Sequence, residues 1–165
     1  MLLKGSCHCG VVKFTVDSRH PYPFNLCYCS ICRKTAGTGG YAINLSARFD
    51  TLTIEGAEHI RTYHAIMHAF EDGDTEESPG ERKFCGNCGS ALWLWDPRWP
   101  ELMHPHASSI DTPLPQPPER THLMLDSRAS WVEPCIREGD RTFDIYPDES
   151  IAEWHERLGL VDEQS

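Results

Sequence analysis

The sequence predicts a single, mainly β domain of short strands gathered around bound metal. Three observations predict it. Short runs of alternating apolar and polar residues are separated by turn-forming residues. Seven of the eight cysteines stand in three tight groups. The 165 residues, 39% hydrophobic and 24% charged, suit one globular domain spanning 1–165 with a sizeable core.

Taken in order, Val11 to Val16 alternates after a Cys-Gly turn and reads as a strand. Gly39 to Leu45 and Phe49 to Ile54 read as two more, separated by Ser46-Ala47-Arg48. Between His59 and Ala69 a strand over Ile60-Arg61-Thr62-Tyr63 is expected, and a short helix can follow it. The dense acidic run 71–77 reads as a solvated, mobile loop. Ala91 to Trp95 is a strongly apolar strand, and Thr121 to Leu125 is another. The proline-rich stretch 113–118 excludes helix and central strand, so it is expected to be a rigid connector. Near the C-terminus, Ser150-Ile151-Ala152-Glu153 has the spacing of a capping box and opens a helix, with a helical tail over about 148–159. Ile151, Trp154 and Leu158 share one face of it, and Val161 to Ser165 should fray.

The cysteines carry the chemistry. Cys7-His8-Cys9, Cys27-Tyr28-Cys29-Ser30-Ile31-Cys32 and Cys85-Gly86-Asn87-Cys88 place several sulfurs around one point, as a metal needs and a disulfide framework does not. The opening residues lack the apolar stretch of a secretory signal, so a reducing, cytoplasmic location is expected. Thiolate-rich sites select zinc or iron–sulfur clusters, and clusters use other spacings. Seven thiolates divide as four plus three. Four close a zinc site, and three leave a position for water or substrate. Cys27, Cys29 and Cys32 fit one three-pronged loop, whereas the Cys7/Cys9 and Cys85/Cys88 pairs each supply half a site. The alternative is a single ion with a spare cysteine. Cys135, after Pro134, is expected to be a small buried residue.

Other residues point less sharply. His64 and His68 have helical i, i+4 spacing but no accompanying carboxylate motif. His104 and His106 are candidates to line a pocket, as is Ser130-Trp131; the tryptophans otherwise read as core. The net charge of −10 excludes the basic stripe of a nucleic-acid or anionic-membrane binder.

Four segments, in this order, resemble the glutathione-dependent formaldehyde-activating enzyme family, which also contains centromere protein V. They are Gly5-Ser6-Cys7-His8-Cys9-Gly10 with Val12 and Phe14, Cys27 to Lys34, Phe84 to Ser90, and Asp126-Ser127-Arg128-Ala129-Ser130-Trp131; together they span about 5–132. The resemblance implies a β-tent of antiparallel sheets clipped by two zinc ions per chain. It implies a structural zinc on Cys7, Cys9, Cys85 and Cys88 and a catalytic zinc on Cys27, Cys29 and Cys32. The implied activity is that of a carbon–sulfur lyase joining glutathione and formaldehyde into S-hydroxymethylglutathione. Three thiolates on a dication leave a net charge of −1, and a substrate thiolate makes it −2, so positive charge is needed nearby. Arg33 and Lys34, directly after Cys32, are the candidates. The same open site with another thiol or carbonyl, or a zinc-clipped interaction module without catalysis, are the competing readings.

Overall fold

The structure, a computed structural model, describes residues 1–68 and 75–160. In chain order the strands are β1 (Leu2–Ser6), β2 (Lys13–Asp17) and β3 (Phe24–Cys27), followed by the helix α1 (Ser30–Ala36). Next come β4 (Ala42–Asn44), β5 (Ala47–Arg48), β6 (Thr53–Glu55), β7 (Ile60–His68) and β8 (Thr75–Cys85). The chain continues through β9 (Ala91–Trp95), β10 (Leu102–Pro105), β11 (Arg120–Leu123) and β12 (Arg141–Thr142) to the helix α2 (Ile151–Arg157). The fold is mainly β, with a short C-terminal helix, as the sequence predicts.

The strands form three sheets, ordered β1-β2-β6, β5-β10-β9-β8-β7 and β12-β11-β3-β4. The first two are antiparallel throughout. The third departs from the expected antiparallel pattern, because β11 runs parallel to both β3 and β12. A parallel pair needs a long crossover, and most of the chain lies between β3 and β11. The main core fills the space under the first two sheets: Leu3, Val12, Phe14, Val16, Leu45, Leu92, Trp93 and Met103 are all buried there. The Phe14 and Trp93 rings meet edge to face at 5.0 Å. A smaller cluster of Cys27, Cys32, Ala42 and Leu123 packs between the third sheet and α1.

Several expectations are corrected by long-range partners. The strand expected to begin at Val11 begins at Lys13, because Val11 and Val12 close the preceding turn, where the Cys7 N–H donates to the Val12 carbonyl (3.0 Å). Phe49 to Thr51 is a 3-10 turn, and the strand begins only at Thr53. The Thr51 hydroxyl donates to the Arg48 carbonyl (2.8 Å), and Arg48 pairs with Asp50, so local side-chain bonds win over extension. Among the described residues, through His68, no helix follows Tyr63 in this segment. β7 continues to His68 because β8 pairs with it, aligning Ile66 with Glu77 and His68 with Thr75. Thr75, Glu76 and Glu77 are therefore strand and not loop, while 71–74 lies outside the described residues, as does the expected fraying at 161–165. Cys135 is exposed, not buried, as are Trp99 and Trp131. A buried Cys135 was expected from residue type alone, and nothing in the neighbouring sequence tells that the segment stays at the surface.

The C-terminal helix forms as expected. The Ser150 side chain accepts from the Glu153 N–H (3.2 Å), and the Ser150 N–H donates to the Glu153 carboxylate (2.6 Å). Trp154 is buried, and its indole N–H donates to Glu119 (2.9 Å), docking α2 on the connector that leads into β11. Among the described residues no helix is long and apolar enough to cross a membrane.

Candidate metal centres

The fold gathers the seven grouped cysteines into two clusters, each with its sulfurs within 4.8 Å of one another: Cys7, Cys9, Cys85 and Cys88, and separately Cys27, Cys29 and Cys32. Either could hold a metal ion. In the first, the turn after β1 meets the turn after β8. The two turns close alike: the Gly10 N–H donates to the Cys7 carbonyl (3.0 Å) and the Gly89 N–H to the Cys85 carbonyl (2.8 Å). Both glycines have φ of 76°, a left-handed conformation costly to any residue with a Cβ. The Cys7–Cys9 and Cys9–Cys85 sulfur separations are 3.5 and 3.9 Å. Donors converge on the sulfurs: the Val12 N–H on Cys7 (3.3 Å) and the Asn87 amide on Cys9 (3.2 Å). The Ser90 hydroxyl and then backbone N–H groups push the Cys88 thiol down to about 5. Cys7 and Cys85 are buried in the main core, and Cys9 and Cys88 are exposed.

The second cluster sits where β3 ends and α1 begins. Cys27 closes β3, Cys29 is the N-cap of α1, and Cys32 lies in its first turn. The Cys32 N–H donates to the Cys29 sulfur (3.3 Å), so a thiolate takes the capping place usually held by an oxygen. The neighbouring Cys27 and Cys32 thiols, then backbone N–H groups, drive the Cys29 thiol far down, while Cys29 in turn drives the Cys27 thiol up.

Three side chains that sequence reading did not assign to this cluster stand beside it. Arg82, from β8, places Nη1 3.8 Å from the Cys32 sulfur. Asn44, from β4, places its amide nitrogen 4.0 Å from the same sulfur. Its oxygen lies 3.0 Å from His106 Nδ1, so His106 braces Asn44. Arg82 and His106 also line a cavity of about 310 Å³ with Thr35, Tyr63 and Phe84. None of these is visible as a motif, because 50 residues separate Arg82 from Cys32 and only strand pairing joins them. Of the two charge partners expected from the sequence, Lys34 is exposed, and Arg33 is half-buried with its Nε unpaired among the described residues.

The remaining candidates divide. His106 lines the cavity, whereas His104 is held by the Leu45 carbonyl (3.0 Å). His64 sits on a strand with Nδ1 3.2 Å from the Ser78 carbonyl, so no helical pair with His68 exists. Ser130 lines a separate cavity of about 500 Å³ with Asp126, Arg128 and Glu133.

Burial pushes the imidazoles of His104 and His122 down, and that of His106 to about 3, with Arg82 adding to the effect at His106. Folding thus favours the neutral form of each ring, whereas an unfolded chain protonates them near pH 6.5. The unfolded state then binds more protons, so stability falls as pH drops below about 6.5. For His106, whose ring is pushed furthest, the loss approaches about 1.4 kcal/mol per pH unit. Nitrogen-15 shifts should still show the His106 ring neutral at pH 5; a charged ring there would contradict its burial.

A mainly β domain with one four-sulfur and one three-sulfur cluster is the class these features define. Residues 2–126 match the sequence profile of the glutathione-dependent formaldehyde-activating enzyme family, and the chain belongs to it. A relative from Halomonas elongata, named provisionally as a glutathione-dependent formaldehyde-activating enzyme, is 67% identical over 160 residues, covering 97% of this chain and 98% of its own length. A Rhodobacter sphaeroides protein of known crystal structure is similar in fold, with a TM-score of 0.51 and 26% identity over 68% of this chain and 91% of its own.

Proposed function

We propose that the chain is a zinc-dependent carbon–sulfur lyase that reversibly joins glutathione and formaldehyde into S-hydroxymethylglutathione. The observation that carries this reading is a three-sulfur cluster with the Arg82 guanidinium beside Cys32, the same Arg82 lining a cavity, in a chain of this family. Zinc fits both donor sets. A zinc–sulfur bond of about 2.3 Å sets tetrahedral sulfur–sulfur edges of about 3.8 Å, and the Cys7–Cys9 and Cys9–Cys85 separations of 3.5 and 3.9 Å in the four-sulfur cluster bracket that value. Cys7, Cys9, Cys85 and Cys88 would hold a closed structural ion, and Cys27, Cys29 and Cys32 a catalytic one. When bound there, zinc supplies an open position at which a thiol stays deprotonated at neutral pH.

The protein's own groups do the rest. The cavity receives the thiol substrate, and Arg82 offsets the negative charge that its sulfur brings. The sulfur lone pair forms a bond to the carbonyl carbon, the carbonyl π pair moves to oxygen, and a solvent proton completes the hydroxymethyl group. His106, through Asn44, keeps a donor turned to Cys32 while the charge builds. Reversal returns the proton and expels the thiolate. The reaction is soluble, cytoplasmic chemistry between small molecules, with no nucleic acid or membrane required.

Exchange NMR on glutathione and formaldehyde, with substoichiometric protein, tests the reading. Faster formation of the adduct than in buffer is expected. No acceleration by protein carrying two zinc ions removes this substrate pair and leaves another thiol or carbonyl. Arg82→Gln should retain both ions yet lower kcat/KM. Two unit charges about 4 Å apart interact by about 4 kcal/mol at intermediate dielectric, and partial solvent exposure reduces this, so the expected loss is about 10²-fold. An unchanged kcat/KM would remove Arg82 from the chemistry.

A further inference from the structure

A buried line of polar groups runs under the three-cysteine loop, and the chemistry above does not use it. Tyr28 stands between Cys27 and Cys29 and is fully buried. Successive residues of extended chain point to opposite sides. Its ring packs away from the sulfur cluster, against Tyr41 at 5.1 Å and His122 at 5.8 Å. The Tyr28 oxygen lies 2.9 Å from His122 Nδ1, and His122 Nε2 lies 3.3 Å from an Asp140 carboxylate oxygen. Asp140 is held from outside: it accepts from the Arg120 N–H (3.0 Å), the Arg120 Nε (2.9 Å) and the Arg137 N–H (2.8 Å).

The sense of these bonds is determined from the carboxylate end. An ionised carboxylate only accepts, so His122 donates its Nε2 hydrogen to Asp140. A neutral imidazole then has a lone pair at Nδ1, into which the Tyr28 hydroxyl donates. Every member is satisfied in one arrangement and in no other. The backbone follows the same path. The Tyr28 N–H donates to the Leu123 carbonyl (3.0 Å), and the Phe143 N–H to the His122 carbonyl (2.8 Å). The line therefore joins the segment after β11, beyond the 2–126 match to the family, to the residue flanked by two of the three sulfurs.

We infer that Asp140, His122 and Tyr28 form a positioning relay that holds the Cys27-Tyr28-Cys29 turn in the geometry the three-sulfur centre needs. The inference rests on the reading of Cys27, Cys29 and Cys32 as a metal centre. A ring anchored at its far end cannot rotate about the chain, and its two neighbours keep their sulfurs converging on Cys32. Without the anchor, the same ring still packs, but the turn gains freedom and the sulfurs spread. Tyr28, His122 and Asp140 are positioning residues and touch no substrate.

Tyr28→Phe keeps the ring and removes only the hydroxyl. The test follows the release of each of two bound zinc ions to a competing chelator, and the ligand-field spectrum of the cobalt-substituted protein. Second-sphere changes lower metal affinity by about 10- to 100-fold. The more labile ion of Tyr28→Phe should therefore leave about 10- to 100-fold more readily, with altered cobalt bands. The four-sulfur ion should hardly move, and the melting temperature of the loaded protein should fall by about 10 °C at most, the cost of the buried His122 acceptor left unpaired. His122→Leu cuts the same line from its middle and should release the same ion, whereas His122→Gln, which keeps a donor and an acceptor, should restore most of the affinity. Lability of both ions within twofold of wild type in Tyr28→Phe and His122→Leu overturns the relay alone. A wild-type chain that takes up only one zinc overturns the metal-centre reading and the relay with it.

Discussion

Cys85→Ser is expected to leave the chain unfolded at 37 °C. Cys85 is fully buried at the end of β8, inside the core that contains Leu3, Phe14, Leu92 and Trp93. Its sulfur approaches that of Cys9, 76 residues earlier, and so ties the first sheet to the second. Structural zinc supplies roughly 10–16 kcal/mol of apparent binding energy to the folds that need it. A whole domain is stable by only about 5–15 kcal/mol. Losing one of four thiolates forfeits much of the first quantity and leaves a serine hydroxyl unpaired in the core. Far-UV circular dichroism and limited proteolysis of zinc-supplemented protein would read this directly. A variant that keeps native near-UV ellipticity after losing one ion would show that the sheets hold without the clip.

Cys32→Ser should have the opposite profile, with the fold kept and the activity lost. Cys32 belongs to a small cluster with Cys27, Ala42 and Leu123, outside the main core. Its loss costs about 1–3 kcal/mol for an imperfectly paired buried group, lowering the melting temperature by about 10 °C at most. The chemistry suffers far more, because two sulfurs no longer define an open third-and-fourth arrangement that holds one thiol beside Arg82. Proximity of this kind is worth many powers of ten, so adduct formation should fall by about 10³-fold or more, to the rate in buffer. The measurements are exchange NMR for the rate and thermal melting for the fold. Equal damage to fold and rate in Cys32→Ser and Cys85→Ser would remove the division of labour between the two clusters.

Much of the architecture is local enough to be read along the chain. The capping box at Ser150 and Glu153 needs only three residues of separation, and it forms as its spacing predicts. The apolar run Ala91 to Trp95 is a strand at those residues. The grouping of the cysteines is of the same kind, since gaps of one or two residues bring sulfurs together whatever the rest of the chain does. Where a segment's fate depends on a distant partner, local pattern is insufficient. Ile66 to His68 could be helix or strand by sequence, and pairing with Thr75 to Glu77 makes it strand. Phe49 to Thr51 looks like strand, and the Thr51 hydroxyl turns it into a 3-10 turn.

The sequence by itself determined that seven cysteines would stand in three tight groups, in a domain of short strands closed by one capped helix, whereas the joining of the Cys7/Cys9 and Cys85/Cys88 pairs into one four-sulfur cluster came with the tertiary structure. Bond lengths within a few residues leave such groups little choice. Only the tertiary structure decided what surrounds the three sulfurs: Arg82 and Asn44 at Cys32, His106 behind Asn44, and the line from Asp140 through His122 to Tyr28. These contacts are made by residues tens of positions apart. They come together through the register of β7, β8 and β9 and through the parallel pairing of β3 with β11, which depend on the packing of the whole core rather than on any one stretch of chain.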